Sequence, residues 1–344
     1  MTTTIRYFRW AFIVTAVGIL LSVLLGWSYT GTLLGTAGFL GIALVLCVLE
    51  ISLSFDNAIV NANKLKTMDP VWQRRFLTWG ILIAVFGMRV IFPIMVVVVA
   101  ARIGPIEAVR LAATEPDEYA RIVGDAHVSI AAFGGAFLMM VALSFFTDKT
   151  KSIDWIRGIE KVLRKAGSVK GIEVAVVLAV IGVFAFAIPD DHLAEFLKAA
   201  IGGLLTFLVV EAVGNLLDRP ETTDTVAKGG LGAFLYLEVL DASFSFDGVI
   251  GAFALTQNLF LIAIGLGVGA MYVRSMTIML VEKQTLSEFR YLEHGAFWSI
   301  LCLSVIMFSQ TLWHVPEVVT GLLGTSFIAL ALLSSLHARR IAAG

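Results

Sequence analysis

The sequence predicts an all-α, polytopic membrane protein, with about ten transmembrane helices arranged as two inverted five-helix repeats. Of 344 residues, 58% are hydrophobic and only 15% charged, and the mean hydropathy is +0.91, which leaves too little polar surface for a soluble domain. Apolar runs long enough to cross a hydrocarbon core of about 30 Å recur along the whole chain. An acid-bearing stretch inside one of them, Glu50–Asn57 (EISLSFDN), returns without a gap inside another as Asp241–Gly248 (DASFSFDG).

The ten runs fall near 10–27, 38–62, 77–101, 128–146, 172–188, 197–217, 231–255, 258–281, 295–313 and 317–336. Arg6 and Arg9 precede the first run, which lacks a clean small-x-small cleavage site and reads as a retained anchor. Basic residues then set the orientation. With the N-terminus inside, nineteen of the 25 basic residues fall in cytoplasmic segments; Arg102, Arg110, Arg121 and Lys198 fall outside, and Arg89 and Arg274 lie within spans. Both termini are therefore expected in the cytoplasm, with the protein in the cytoplasmic (inner) cell membrane. The outer segment carrying Glu107, Glu115, Asp117, Glu118 and Asp125 reads as a solvated loop, or as a vestibule that concentrates cations. Inside, Ile153–Leu163 places Ile153, Ile156, Ile159, Val162 and Leu163 opposite Arg157, Glu160, Lys161 and Arg164, the pattern of an amphipathic helix on the cytoplasmic leaflet. Pro93 is expected to kink the third span. Cys47 and Cys302, both in apolar spans, read as small hydrophobes and not as a disulfide.

The two halves correspond beyond the acidic stretch. Glu50 aligns with Asp241 and Asp56 with Asp247; Gly80 and Arg89 match Gly265 and Arg274 at a second fixed offset, and His127 matches His294 at the start of a span. Repeat one covers about 1–190 and repeat two about 191–344, within a single transmembrane domain. Five spans per repeat invert the topology of the second copy, and inverted repeats with paired central sites are a hallmark of secondary transporters.

Acids at mid-membrane cost about 2.5–3.5 kcal/mol each on insertion scales, which makes them a functional site by default. Glu50, Asp56, Asn57, Glu238, Asp241 and Asp247 form the candidate set. On one straight helix Glu50 and Asp56 point to different faces. Either the segment unwinds around Leu53–Phe55, or the two acids serve different roles, one of them facing Arg89 or Arg274. Carboxylates, an amide and hydroxyls are hard donors suited to Mn²⁺, Mg²⁺ or Ca²⁺. The competing reading is a set of buried ion pairs that only fix helix packing. Arg89 and Arg274 are expected as counter-ions, and His127 and His294 as boundary residues or a proton relay.

The stretches EISLSFDNAIV (Glu50–Val60) and LEVLDASFSFDGVIGA (Leu237–Ala252) resemble the E-x-x-L-S-x-D-N motif and the later acidic motif of TerC-like integral membrane proteins. They are closest to a long branch of that family otherwise known as a domain of unknown function. The resemblance implies a relation to the lysine-exporter superfamily and a role in manganese efflux or divalent metal homeostasis. Glu50, Asp56 and Asn57 match the first motif, and Glu238, Asp241 and Asp247 the second. Gly248 departs from the serine usual there and removes one hydroxyl.

The expected function is thus a secondary exporter of a divalent cation, manganese, coupled to H⁺ or Na⁺, with no bound cofactor and no enzymatic activity. Its partners are the bilayer and the ion, not nucleic acid; the sequence leaves a homodimer open. The alternatives are an exporter of a small organic cation or amino acid, and a helper in metallation of membrane proteins. An intramembrane aspartyl protease is disfavoured, because the G-x-G-D and P-A-L motifs are missing.

Overall fold

The computed structural model describes residues 3–66, 68–80, 83–217, 230–283, 289–313 and 315–343. It is 86% helix, with no strand among the described residues. Among the described residues seven helices are long and apolar enough to cross a membrane: Ile5–Thr30, Leu33–Leu53, His127–Thr147, Asp190–Val213, Leu259–Glu282, Leu292–Gln310 and Val319–Arg340. The protein is therefore built as a multi-pass membrane protein. Two shorter apolar helices, Gly87–Val99 and Ile172–Ala185, accompany them. The helix Leu231–Leu255 has the length to span but carries Glu238, Asp241 and Asp247.

The chain divides into two compact units. The first comprises Met1–Ser54, Arg74–His127 and Phe244–Met279, and the second Phe55–Gln73, Val128–Ser243 and Leu280–Gly344.

In the first unit, α1 (Thr3–Thr30) ends at Gly31, whose φ of +61° is left-handed and suits glycine. Thr32 then caps α2 (Leu33–Leu53), its hydroxyl accepting the Gly35 N–H at 3.1 Å. The two pack tightly at Gly26, where a Cβ would come within 2.9 Å of Phe39 and Thr36. After α4 in the chain (Pro70–Arg75, following α3, Phe55–Lys66, of the second unit), the backbone runs through wide π-helical turns over Phe76–Gly80 and Ile83–Ile91. It then enters α5 (Phe92–Ala101) with Pro93 in the first turn. Pro93 thus marks a change of helix type, at a position where its missing N–H costs little.

The acidic outer segment is a correction to the sequence reading. It forms two helices, α6 (Pro105–Thr114) and α7 (Pro116–Asp125), each opened by a proline with acids in its first turn. Ala108, Ala112, Tyr119 and Val123 bury against Val97 of α5 and Leu259. Apolar residues hidden among the acids fold this segment onto the spans, while the charged side of α7 stays exposed.

The second unit contains α8 (His127–Thr147, from Val128 on), α9 (Arg157–Ala166), α10 (Ile172–Ala185) and α11 (Asp190–Leu217). α12 (Leu231–Leu255) starts in this unit and ends in the first, to which α13 (Leu259–Glu282) belongs through Met279. α14 (Leu292–Gln310) and α15 (Glu317–Ala343) complete the second unit. Here α3 is its inner strut, with Asp56–Ala62 and Leu65 all buried. Small residues bring the helices close. At Gly135 a Cβ would lie 3.1 Å from Phe308, and at Gly295 it would lie 2.5 Å from the Ala331 side chain.

Candidate functional site

The motif EISLSFDN is not one helix. α2 stops at Leu53, Ser54 takes φ −101° and ψ 12°, and α3 begins at Phe55. Glu50 thereby ends one helix and Asp56 enters the first turn of the next. Leu53–Phe55 was the place where the sequence allowed unwinding. The break is confined to Ser54, whose N–H still donates to the Glu50 carbonyl at 3.0 Å.

In the first unit Glu50 is 1% exposed, and its Oε1 accepts hydrogen bonds from the Arg89 guanidinium and from Ser54 Oγ, the latter at 2.9 Å. Burying a carboxylate is costly unless it is paired, and Arg89, itself 4% exposed, supplies the pairing charge. Two glycines leave room for this carboxylate. A Cβ on Gly269 would fall 2.6 Å from the Glu50 Cβ, and one on Gly248 would fall 3.3 Å from its Oε2. Gly248, in the second acidic stretch, therefore faces the Glu50 carboxylate. Arg274 donates to the main-chain carbonyl of Phe76 and lies over the Phe76 ring, 4.5 Å from its centre.

In the second unit α3 carries two polar faces. One turns to α14: Asp56 Oδ2 accepts from Ser299 Oγ at 2.7 Å, and, seven residues along, Asn63 donates to Glu293 at 2.6 Å. Asp56 Oδ1 also accepts the Asn57 N–H at 2.8 Å, as suits an acid in a helix's first turn. Gly324 of α15 covers this group, since a Cβ there would lie 2.8 Å from Ser299 Oγ and 3.8 Å from Asp56 Oδ2. The other face turns to α12: the side-chain amides of Asn57 and Asn61 both donate to Asp241 Oδ1, Asn61 at 3.3 Å. Asn57 and Asn61 stand four apart and share a helical face. Glu238 precedes Asp241 by three residues on α12. The Asp247 side chain lies outside the described residues, although its backbone continues α12.

The sequence candidates are thus distributed, with Asp56, Asn57, Glu238 and Asp241 in the second unit and Glu50 and the Asp247 backbone in the first. Ser299 and Asn61 were not among the sequence candidates. Asn61 could have been found as an amide one turn beyond Asn57 in an apolar run; Ser299 carries no such signal. Among the described residues no three of His, Cys, Asp and Glu converge as a metal-binding group.

His294 is buried, and its Nδ1 lies 2.7 Å from Glu160 Oε2, which requires the proton on that nitrogen. Trp298 Nε1 donates to Glu160 Oε1 at 2.9 Å, the Trp155 and Ile156 N–H groups each donate at 3.2 Å, and Lys151 Nζ approaches to 3.3 Å. Within the amphipathic pattern of this segment, the placement of one residue is corrected. Glu160, assigned to the solvated face, is fully buried, whereas Ile159 and Val162 are exposed. The acid turns inward because five donors meet it there. Burial by itself would raise the Glu160 carboxyl, but the hydrogen bonds from His294 and Trp298, the His294 charge and the Ile156 N–H outweigh it and hold it down at about 2. His127 opens α8 and is partly buried.

Residues 55–342 match the family model described as protein of unknown function (DUF475), and the chain belongs to that family. No curated protein and no solved structure matches the chain.

Proposed function

We propose that the protein is a secondary transporter that exports a divalent metal cation, manganese, in exchange for H⁺ or Na⁺. The observation that carries this reading is the polar interior of α3. Asp56, Asn57 and Asn61 are all buried within an apolar unit, and the partners described for Asp56 and Asp241 are neutral hydroxyl and amide groups. Hydroxyl and amide groups satisfy the acids' hydrogen bonds without cancelling their charge, which leaves hard oxygen donors for a hard cation. The break in the first motif supports a transporter further, since discontinuous helices are the common way to present an ion site in such proteins.

The resemblance to TerC-like proteins supports manganese as the ion. The remaining elements of the proposal are ten spans in two inverted repeats, both termini in the cytoplasm, and residence in the cytoplasmic membrane. The sequence correspondences of Glu50 with Asp241, Arg89 with Arg274 and His127 with His294 support the repeats, and the basic-residue bias supports the orientation.

Metal accumulation in cells lacking their own manganese efflux tests the reading. Asp56→Asn and Asp247→Asn keep size and remove charge, so both should bring efflux to near background at equal membrane abundance, while Glu211→Gln, at an exposed acid of α11, retains most of it. Parental efflux in both Asp→Asn variants overturns it.

A further inference from the structure

Asn57 and Asn61 hold a polarity that their surroundings leave half used. Both side chains are 4% exposed, and both turn their amide N–H groups to the same oxygen, Asp241 Oδ1. Both carbonyl oxygens, Asn57 Oδ1 and Asn61 Oδ1, are buried without a hydrogen-bond partner among the described residues. Two buried orphan acceptors on one helical face, beside a carboxylate whose described partners are neutral, are an expensive arrangement for a packing role. Each orphan forfeits about 1–3 kcal/mol of desolvation. An apolar side chain at either position would avoid that cost, so the pattern points to a ligand that uses the oxygens.

We propose that Asn61, together with Asn57 and Asp241, forms a hard-cation subsite in which the two carboxamides exchange roles. This rests on the transport reading above and names a residue that reading does not need. With no ion, each amide presents its N–H₂ to the carboxylate and stands in for the missing positive charge. With an ion on Asp241, each amide turns over about its terminal torsion and presents its oxygen. That torsion is broad and roughly two-fold, so the exchange is inexpensive. Three hard oxygen ligands then come from α3 and α12, two of them neutral. A neutral majority keeps binding weak enough for release, because cation affinity follows the count of charged ligands.

The test is Mn²⁺ binding to the purified full-length protein in detergent, read by titration and by the Mn²⁺-dependent rise in unfolding temperature. Asn61→Leu should weaken Mn²⁺ binding by about 10–100-fold. Asn61→Asp should lower the unfolding temperature without metal, because two carboxylates then face each other, and should regain it with Mn²⁺ while binding at least as tightly as the parent. Ser326→Ala, at an exposed hydroxyl on α15 that donates to the Leu322 carbonyl, serves as the unchanged control.

If Asn61 merely donates a structural hydrogen bond, Asn61→Asp loses stability that Mn²⁺ does not restore, and the inference is overturned. It is overturned as well if Asn61→Leu and Asn61→Asp bind Mn²⁺ like the parent while Asp241→Asn does not, an outcome that leaves the transport reading standing. A parent that binds no divalent cation overturns both.

Discussion

The two copies of the acidic motif have diverged in backbone and in partners. In the first, the helix breaks at Ser54 and Glu50 is tied to an arginine; in the second, α12 runs unbroken from Leu231 to Leu255 and Asp241 is met by two asparagines. Glu50 and Asp241 are equivalent in sequence, yet among the described residues one has its charge cancelled and the other only its hydrogen bonds met. An arginine fixes a carboxylate for good, because neither group can leave the interior alone. A carboxamide does so provisionally, since it has an acceptor as well as a donor. The two acids hold matching places in the motif, and their described neighbours pair one with a fixed charge and the other with groups that could turn away from it.

The sharpest way to break this comparison is to neutralise both sides. Arg89→Gln strands the Glu50 charge in a dry site and should cost about 3–5 kcal/mol, with most of it recovered in the Arg89→Gln, Glu50→Gln pair. Asp241→Asn removes a charge that no described cation balances and should cost far less. Unfolding of the purified protein in detergent measures both, and equal losses would dissolve the distinction.

Glu160 asks whether hydrogen bonds joined by a histidine charge can hold an acid as firmly as an arginine does. Its carboxyl is depressed from an ordinary 4.5 to about 2, so its stabilisation is complete above pH 4.5, falls away as pH drops from 4.5 toward 2, and is absent below. The amount at stake is about 3 kcal/mol. Hydrogen exchange at the Trp155 and Ile156 amides should accelerate across that window beyond the intrinsic rate change. Glu160→Gln should show fast exchange already at neutral pH; flat behaviour in the parent refutes the role.

The smallest effect is expected at Gly248→Ser, which adds a hydroxyl beside Glu50. Its Cβ would stand 3.3 Å from Glu50 Oε2, so the flexible carboxylate end must give slightly while gaining a donor. A net change within about 1 kcal/mol follows. A large loss would mean that Glu50 is held more rigidly than its single arginine implies.

Hydropathy made the helical membrane class legible, and the duplicated acids picked out α2, α3 and α12. Less was legible where one residue type serves two environments. The acids after Ile103 looked like loop, because their charge hid the buried Ala108, Ala112, Tyr119 and Val123. Glu160 looked solvated because helical periodicity reports which residues share a face and not which way that face turns. Ser299 and Asn63 were invisible for a different reason: a lone hydroxyl or amide in a long chain acquires meaning only once its partner across the helix pair is known. The break at Ser54 was foreshadowed by geometry alone, since a straight helix cannot aim Glu50 and Asp56 together.

The burial of Glu160 also sets an order of assembly. Its partner His294 lies 134 residues further along the chain. At a synthesis rate of roughly 5–20 residues per second, that gap lasts on the order of ten seconds. Throughout it, α9 is already made while α14 is still absent, so the carboxylate must remain hydrated. Docking of α9 is therefore a closing event of biogenesis, one that a chain truncated before α14 never completes.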